Sequence, residues 1–74
     1  MAQPLVVTLN GTERHLPELG EQPTIAELVS FLGFRADRVA LECNGEIIPR
    51  TTWPQTHIAQ GDRIELVHFV GGGC

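Results

Sequence analysis

The residues with the clearest chemical potential in this 74-residue chain are its last five, Val70-Gly71-Gly72-Gly73-Cys74. Three glycines add nothing to a core and cost more backbone entropy to order than any other residue type. Without Cβ atoms the run could thread a channel too narrow for side chains, and four extended residues reach at most roughly 13–14 Å. Such a tail could carry a terminal carboxylate into another protein's active site. A frayed terminus or a cloning remnant is the alternative, and the tail alone does not decide between them.

The other polar side chains form no recognisable catalytic or metal-binding pattern. The three histidines, His15, His57 and His68, share no ligand spacing with each other or with the cysteines, so a metal site is not expected. The carboxylates outside the tail are scattered, and no two of them are placed as a pair for acid–base catalysis; they include Asp37, Glu42, Glu46 and Asp62. The sequence therefore predicts neither a metal centre nor a catalytic site of its own.

Two further residues invite a functional interpretation and have a simpler one. Cys43 lies in a predicted strand, where a cysteine usually acts as a small buried hydrophobe. Trp53 follows the second hairpin, and a tryptophan there more often caps a small core than binds a ligand. We therefore expect both side chains to be structural.

Size and charge favour a binding or carrier module. A chain of this length buries only about 60% of its unfolded surface, enough for one sheet and one helix but hardly for an enclosed active site. The net charge of −4 argues against nucleic acid and suits a basic protein surface. No segment is apolar for long enough to span a bilayer, the first residues lack signal-peptide features, and two distant cysteines are no disulfide framework. A cytoplasmic location without membrane or nucleic-acid partners is expected.

The first half of the chain predicts a hairpin followed by a helix. The run Leu5–Leu9 is rich in β-branched residues, Asn10-Gly11 is a strong turn signal, and a return strand is expected at about Arg14–Pro17. A capping box at Thr24 opens a helix that runs to about Leu32. Its apolar stripe needs a sheet to cover, and its members are Ile25, Leu28, Val29 and Leu32. Gly33 is the expected C-terminal stop of this helix.

The second half predicts another hairpin and a final strand. Val39–Cys43 reads as a strand, Asn44-Gly45 repeats the turn signal, and Glu46–Ile48 returns. An irregular stretch over 51–60 follows, and an alternating strand, Arg63–Val70, leads directly into the glycines. The order ββαββ predicts an α+β fold in which one helix crosses one face of a mixed sheet.

Alternation in the last strand separates a core face from an exposed face. Ile64 and Leu66 are the expected core pair, and Val67 and Phe69 then point to solvent just before the tail. Exposed apolar side chains often mark a docking patch, so both are predicted to contact a partner. The alternative for Phe69 is burial beneath the 51–60 segment.

At this point the chain resembles the β-grasp, ubiquitin-like proteins and, among them, the ThiS family of small sulfur carriers in thiazole biosynthesis. The resemblance covers nearly the whole chain and implies a mixed sheet of four to five strands, with a carrier domain over 1–70 and a flexible tail over 71–74. The matching segments are Val39–Arg50, Trp53, Gly61–Val67 and Val70–Gly73. The Asn-Gly turns alone are weak signals for this family. The combination of Pro49-Arg50, Trp53, Gly61-Asp62 and the glycine tail is fairly specific to it.

The resemblance implies the following chemistry. A ThiF-like adenylating enzyme, related to the ubiquitin-activating enzymes, would use ATP to convert the terminal glycine carboxylate into an acyl-adenylate. Sulfur from a persulfide would displace AMP and leave a thiocarboxylate, from which a ThiG-like thiazole synthase would take the sulfur. The carrier is then a protein co-substrate that needs no cofactor of its own, and the catalytic machinery belongs to its partners.

Cys74 departs from the family pattern, in which the chain ends at glycine. The reacting position falls on Gly73, whose carboxyl group is blocked here as an amide by Cys74. Cys74 could be encoded and removed by a C-terminal peptidase, or added as a cloning remnant. It could also be an adduct of a thiocarboxylate with an amino acid, or a sulfur-carrying thiol.

Three function classes stay open from the sequence. The first is a sulfur carrier for thiazole formation, with related carriers for molybdopterin, for cysteine or methionine, and for tRNA thiolation as siblings. The second is a ubiquitin-like modifier whose tail is conjugated to lysines. The third is an interaction domain with an inert tail.

Overall fold

The computed structural model describes residues 4–69 and shows one five-stranded sheet crossed by one α-helix. The predicted last strand residue, Val70, and the tail 71–74 lie outside the described residues. The elements are β1 (Val6–Leu9), β2 (Thr12–His15), α1 (Ile25–Phe31), β3 (Val39–Cys43), β4 (Glu46–Ile47) and β5 (Arg63–His68). The strand order is β2-β1-β5-β3-β4, with β1 parallel to β5 and the other neighbours antiparallel. The predicted mixed sheet with a single main helix is confirmed.

Both Asn-Gly turns form as predicted and are also attached to β5. Asn10 and Asn44 have φ of +50° and +53°, and the glycine after each also has positive φ, as a tight hairpin turn requires. Asn10 Oδ1 accepts a hydrogen bond from Leu66 N (2.7 Å), and Asn10 Nδ2 donates to Leu66 O (3.1 Å). Asn44 Oδ1 accepts from Arg63 N (2.9 Å). The two turns therefore hold the strand that leads to the tail from both sides.

The helix begins and ends at the predicted signals. Thr24 Oγ1 accepts from Glu27 N (3.1 Å) while Thr24 N donates to Glu27 Oε1 (2.8 Å), which completes the capping box. At the other end Gly33 has φ of +86°, and Phe34 N donates to Val29 O (3.2 Å). This bond is typical of a Schellman stop, in which a glycine in the left-handed region satisfies the last carbonyls.

The core lies between α1 and one face of the sheet. Its helix residues match the predicted stripe, with Leu32 only partly buried. The buried hydrophobic residues are Leu5, Val7, Leu9, Leu16, Ile25, Leu28, Val29, Val39, Leu41, Trp53, Ile58, Ile64 and Leu66. The other face of the sheet has no described helix over it, and this asymmetry leaves one side of β5 open.

Short 3₁₀ helices replace parts of the predicted loops. They lie at Pro17–Leu19, Ala36–Arg38 and Arg50–Gln55, and the last occupies much of the segment predicted to be irregular. The strand ends also differ from those predicted. Strand β2 begins directly after the turn and ends before Leu16, and β4 ends before Ile48. Helices this short carry too few residues to show a hydrophobic period. Within residues 4–69, no helix has the length and apolar character needed to cross a membrane.

Candidate functional site

The end of β5 brings two exposed apolar side chains next to the tail. Val67 is 59% exposed and Phe69 is 48% exposed, as the alternation predicts. Phe69 is therefore not buried beneath the 51–60 segment, and that alternative is not supported. Contact of either residue with a partner stays a prediction.

These side chains belong to a larger apolar surface on the uncovered face of the sheet. We call it the open-face patch and define it by Ala40, Ile47, Val67 and Phe69. Ala40 lies directly opposite Val67 in the β3–β5 ladder, and Ile47 on β4 is 71% exposed. A groove of about 80 Å³ runs between these strands, lined in part by Ala40, Ile47 and Val67. Large exposed apolar residues that share one face are typical of a protein-binding surface.

The sheet and α1 hold the chain in place up to the last described residue. Beyond the end of β5, Phe69 N still donates to Arg38 O (2.8 Å). On the opposite face His68 packs against Phe34, just past α1, with ring centroids 5.3 Å apart. The chain is therefore held beside the open-face patch as far as Phe69. The predicted reacting residue, Gly73, and its tail neighbours Gly71, Gly72 and Cys74 lie outside the described residues.

Cys43 is held as an unreactive thiol. Its Sγ donates to Asp62 Oδ2 at 3.6 Å, and the side chain is half-buried against the core. Burial, and then the negative charge of Asp62, raise the pKa of the Cys43 thiol to about 11. Since the thiolate is the nucleophilic form of cysteine, Cys43 is a poor sulfur acceptor near neutral pH. This geometry supports the structural interpretation of Cys43.

Trp53, His15 and His57 each have their own structural contacts. Trp53 is buried, and its Nε1 donates to Ile48 O (2.9 Å), which supports its interpretation as part of the core. His15 contacts Glu13, whereas His57 forms a β-bridge with Thr24. In the part of the chain that the structure describes, no three His, Cys, Asp or Glu side chains are grouped to hold a metal ion.

A second groove on the helix side was not predicted from the sequence. Its volume is about 430 Å³, and it is lined by Leu9, Asn10, Thr12, Arg14, Leu32, Phe34 and Leu66. Arg14 is the one cationic side chain among these lining residues, and none of them is a nucleophilic cysteine or a carboxylate. The signal that could have indicated this groove is Arg14, a charged residue that lies opposite the buried Val7 in the β1–β2 hairpin and so faces the helix side of the sheet. The groove has no arrangement for catalysis.

Comparison with known proteins matches both the fold and the glycine tail. The ThiS family model matches residues 7–73. The Escherichia coli sulfur carrier protein ThiS is 38% identical over 50 residues, which cover 68% of this chain and 76% of that protein. The crystal structure of the thiamine biosynthesis protein ThiS from Geobacter metallireducens superimposes with a TM-score of 0.78 at 33% identity, covering 93% of this chain and 100% of that one.

A longer relative contains a segment similar to this chain. The thiazole synthase of Paramagnetospirillum magneticum is 36% identical over 67 residues, which cover 90% of this chain but 20% of the relative. The chain thus spans about a fifth of that protein.

Proposed function

Because the chain belongs to the ThiS family, we propose that it is a sulfur carrier of thiamine biosynthesis, a protein co-substrate rather than an enzyme. The observation that carries this proposal is the family match over residues 7–73, which includes the glycine run as well as the folded domain. The exposed apolar side chains of Val67 and Phe69 support a carrier role, because they offer surface to a partner.

The proposed chemistry takes place at the carboxylate of Gly73. A ThiF-like enzyme transfers AMP from ATP to this carboxylate and releases pyrophosphate, since a free carboxylate is a poor electrophile and needs a leaving group. The terminal sulfur of a persulfide then displaces AMP, and a thiol cleaves the resulting S–S bond to leave the thiocarboxylate. A nearly dry channel in the partner protects the activated acyl group from water. A tail of glycines is the part of the carrier that fits such a channel.

Two partners follow from this proposal. The ThiF-like enzyme binds the carrier through Val67 and Phe69, the exposed residues beside the tail. A ThiG-like thiazole synthase accepts the sulfur, which is supported by the relatives named thiazole synthase that contain a segment like this chain. A carrier-like segment within a thiazole synthase supports the proposal that carrier and synthase act in the same reaction.

Cys74 must be removed before sulfur is loaded. With Cys74 attached, the carboxylate lies one residue farther along, by roughly 3.5 Å, and carries a thiol side chain at the reacting position. A C-terminal peptidase that releases Cys74 would expose Gly73. The support for Gly73 is that the ThiS family match includes the three glycines of the tail.

The test offers two forms of the carrier to the ThiF-like enzyme of the same organism. The chain ending at Gly73 and the full chain are each incubated with ATP and a persulfide donor, and intact masses are measured. The Gly73 form should gain the mass difference of one sulfur for one oxygen, and the Cys74 form should not. Gly73→Ala in the shorter chain should impair loading, because a methyl group enters a space shaped for none. Equal adenylation of both forms would refute the blocking role of Cys74.

Cell lysates separate this proposal from the ubiquitin-like alternative. A thiocarboxylate on the free carrier supports sulfur transfer, whereas carrier joined to lysine side chains of other proteins would support a modifier. Loaded carrier added to the thiazole synthase should lose its sulfur. If it keeps the sulfur there but loses it to another acceptor, the carrier belongs to one of the sibling pathways.

A further inference from the structure

Two carboxylates face each other in the middle of the uncovered sheet face. Glu42 on β3 and Glu65 on β5 are direct partners in the antiparallel ladder, and both lie on the side away from α1. Side chains opposite one another in such a ladder have Cβ atoms about 4.5–5.5 Å apart, and like charges in this position are destabilising. The free carrier therefore contains an unfavourable charge pair that folding does not require.

No cation of the described chain forms an ion pair with Glu42 or Glu65. Within residues 4–69 the ion pairs are Glu13–His15 and Arg35–Asp37, and both lie elsewhere. Arg63 lies two positions before Glu65 on the same side of β5, but it forms no ion pair with either carboxylate. Within the described part of the carrier, neither carboxylate therefore has an ion-pair partner.

Apolar side chains flank the two carboxylates on the β4 side and on the side toward the end of β5. Ile47 is the ladder partner of Glu42 on its other side, and Ala40 and Val67 form the next row toward the tail. Glu42 and Glu65 line the same groove of about 80 Å³ as these three residues. A cation that entered this groove would be partly shielded from water, which strengthens its attraction to the carboxylates.

We propose that the open-face patch, together with Glu42 and Glu65 beside it, receives an arginine or lysine on an apolar surface of the adenylating partner. This inference rests on the proposed function and adds that the adenylating partner has a cationic side chain within its apolar docking surface. The cation pairs with both carboxylates and cancels their repulsion, while apolar neighbours on the partner cover Ile47 and Val67. Relief of the repulsion then contributes to binding this partner.

Charge also argues against the other occupants of the patch. A second copy of this chain placed face to face would bring four carboxylates together. Nucleic acid and anionic membranes would meet these carboxylates and a net charge of −4. The same two residues therefore favour one basic protein partner and disfavour self-association.

The test uses Glu42→Gln and Glu65→Gln, each in the carrier ending at Gly73, with Glu21→Gln as the matched control. Glu21 is exposed and lies in the loop before α1, outside every strand, and its replacement removes the same charge. Calorimetry with the ThiF-like enzyme should show about tenfold weaker binding for each sheet variant, between the effects of exposed and buried charge pairs. The melting temperature of each free variant should rise by about 1–5 °C, because the repulsion is gone. The control should change neither quantity appreciably.

Weaker binding together with a higher melting temperature distinguishes this role from a merely structural one, in which both quantities would fall. If both sheet variants bind as tightly as the control while the unmodified carrier is loaded with sulfur, the inference is wrong and the proposed function stands. If neither variant melts higher, the carboxylates do not repel and the inference fails at its premise. If the unmodified carrier neither binds the enzyme nor gains sulfur, both proposals fail. A carrier dimer in solution that Val67→Asp dissociates would assign the patch to a second copy instead.

Discussion

The two sides of β5 carry neighbouring apolar residues with opposite fates. Leu66 is 7% exposed and Val67 is 59% exposed, although both are aliphatic and adjacent in the chain. The difference arises because α1 and its flanking segments cover one side of the sheet only. Burial of a side chain here is set by the position of the helix, and not by the hydrophobicity of the residue. The covered side stabilises the fold, and the open side is left available for a partner.

This comparison separates two kinds of variant. Changes on the covered side should lower the free energy of unfolding and affect binding only through the loss of folded protein. Changes to the apolar residues of the open side should leave the free energy of unfolding nearly unaltered and weaken association with the partner.

The largest effect is expected for Leu28→Ala on the covered side. Leu28 is fully buried between α1 and the sheet, and its truncation should cost about 2–5 kcal/mol in the free energy of unfolding. Urea denaturation followed by circular dichroism measures this cost. Val67→Ala is the open-side control and should cost far less. A loss below about 0.5 kcal/mol for Leu28→Ala would show that the helix face is assigned incorrectly.

The next effect is expected for Asn10→Gly, which tests the attachment of the first turn to β5. Glycine keeps the positive φ of the turn but removes both side-chain hydrogen bonds to Leu66. The loss should be about 1–3 kcal/mol, because a partly buried N–H and C=O of Leu66 lose their partners. Asn44→Gly is the comparison at the other turn. Unchanged urea midpoints for Asn10→Gly would mean that water replaces the side chain at no cost.

A smaller effect, confined to alkaline pH, is expected from Cys43. Its folded pKa of about 11 lies above the unfolded value of about 8.5, so its contribution to stability is complete below pH 8.5 and lost as pH rises through 11. In the chain without Cys74, alkylation by iodoacetamide should reach half of its maximal rate near pH 11 when folded and near 8.5 in urea. Asp62→Asn should lower the folded midpoint only in part, because burial is the larger cause. Equal midpoints in both states would contradict the shielding of Cys43.

The smallest effect on stability is expected for Phe69→Ala on the open side. Because the side chain is about half exposed, the free energy of unfolding should change by less than about 1 kcal/mol. Binding to the ThiF-like enzyme should nevertheless weaken severalfold, since Phe69 lies beside the tail. Phe31→Ala removes a similarly exposed phenylalanine at the end of α1 and should leave binding unchanged. Unfolding of the Phe69 variant would place this residue in the core.

Local signals in the sequence were sufficient for most of the fold. Asn-Gly needs positive φ at both turn positions, so each hairpin could be predicted from two residues. The capping box and Gly33 located both ends of α1 within one residue, because these contacts are made within the helix and its caps. The exposure of Val67 followed from strand alternation combined with the core positions of Ile64 and Leu66.

Other features depend on residues that are distant in sequence, and only the tertiary structure decided them. The attachment of Asn10 to Leu66 and the contact of Cys43 with Asp62 require strands that the chain order alone does not align. The same holds for the juxtaposition of Glu42 and Glu65, which are 23 residues apart in the sequence and become direct partners only in the β3–β5 ladder. A shift of one residue in the β3–β5 register would move every side chain to the other face. The sequence thus determined the elements and the glycine tail, whereas the register between strands decided which charges meet on the open face.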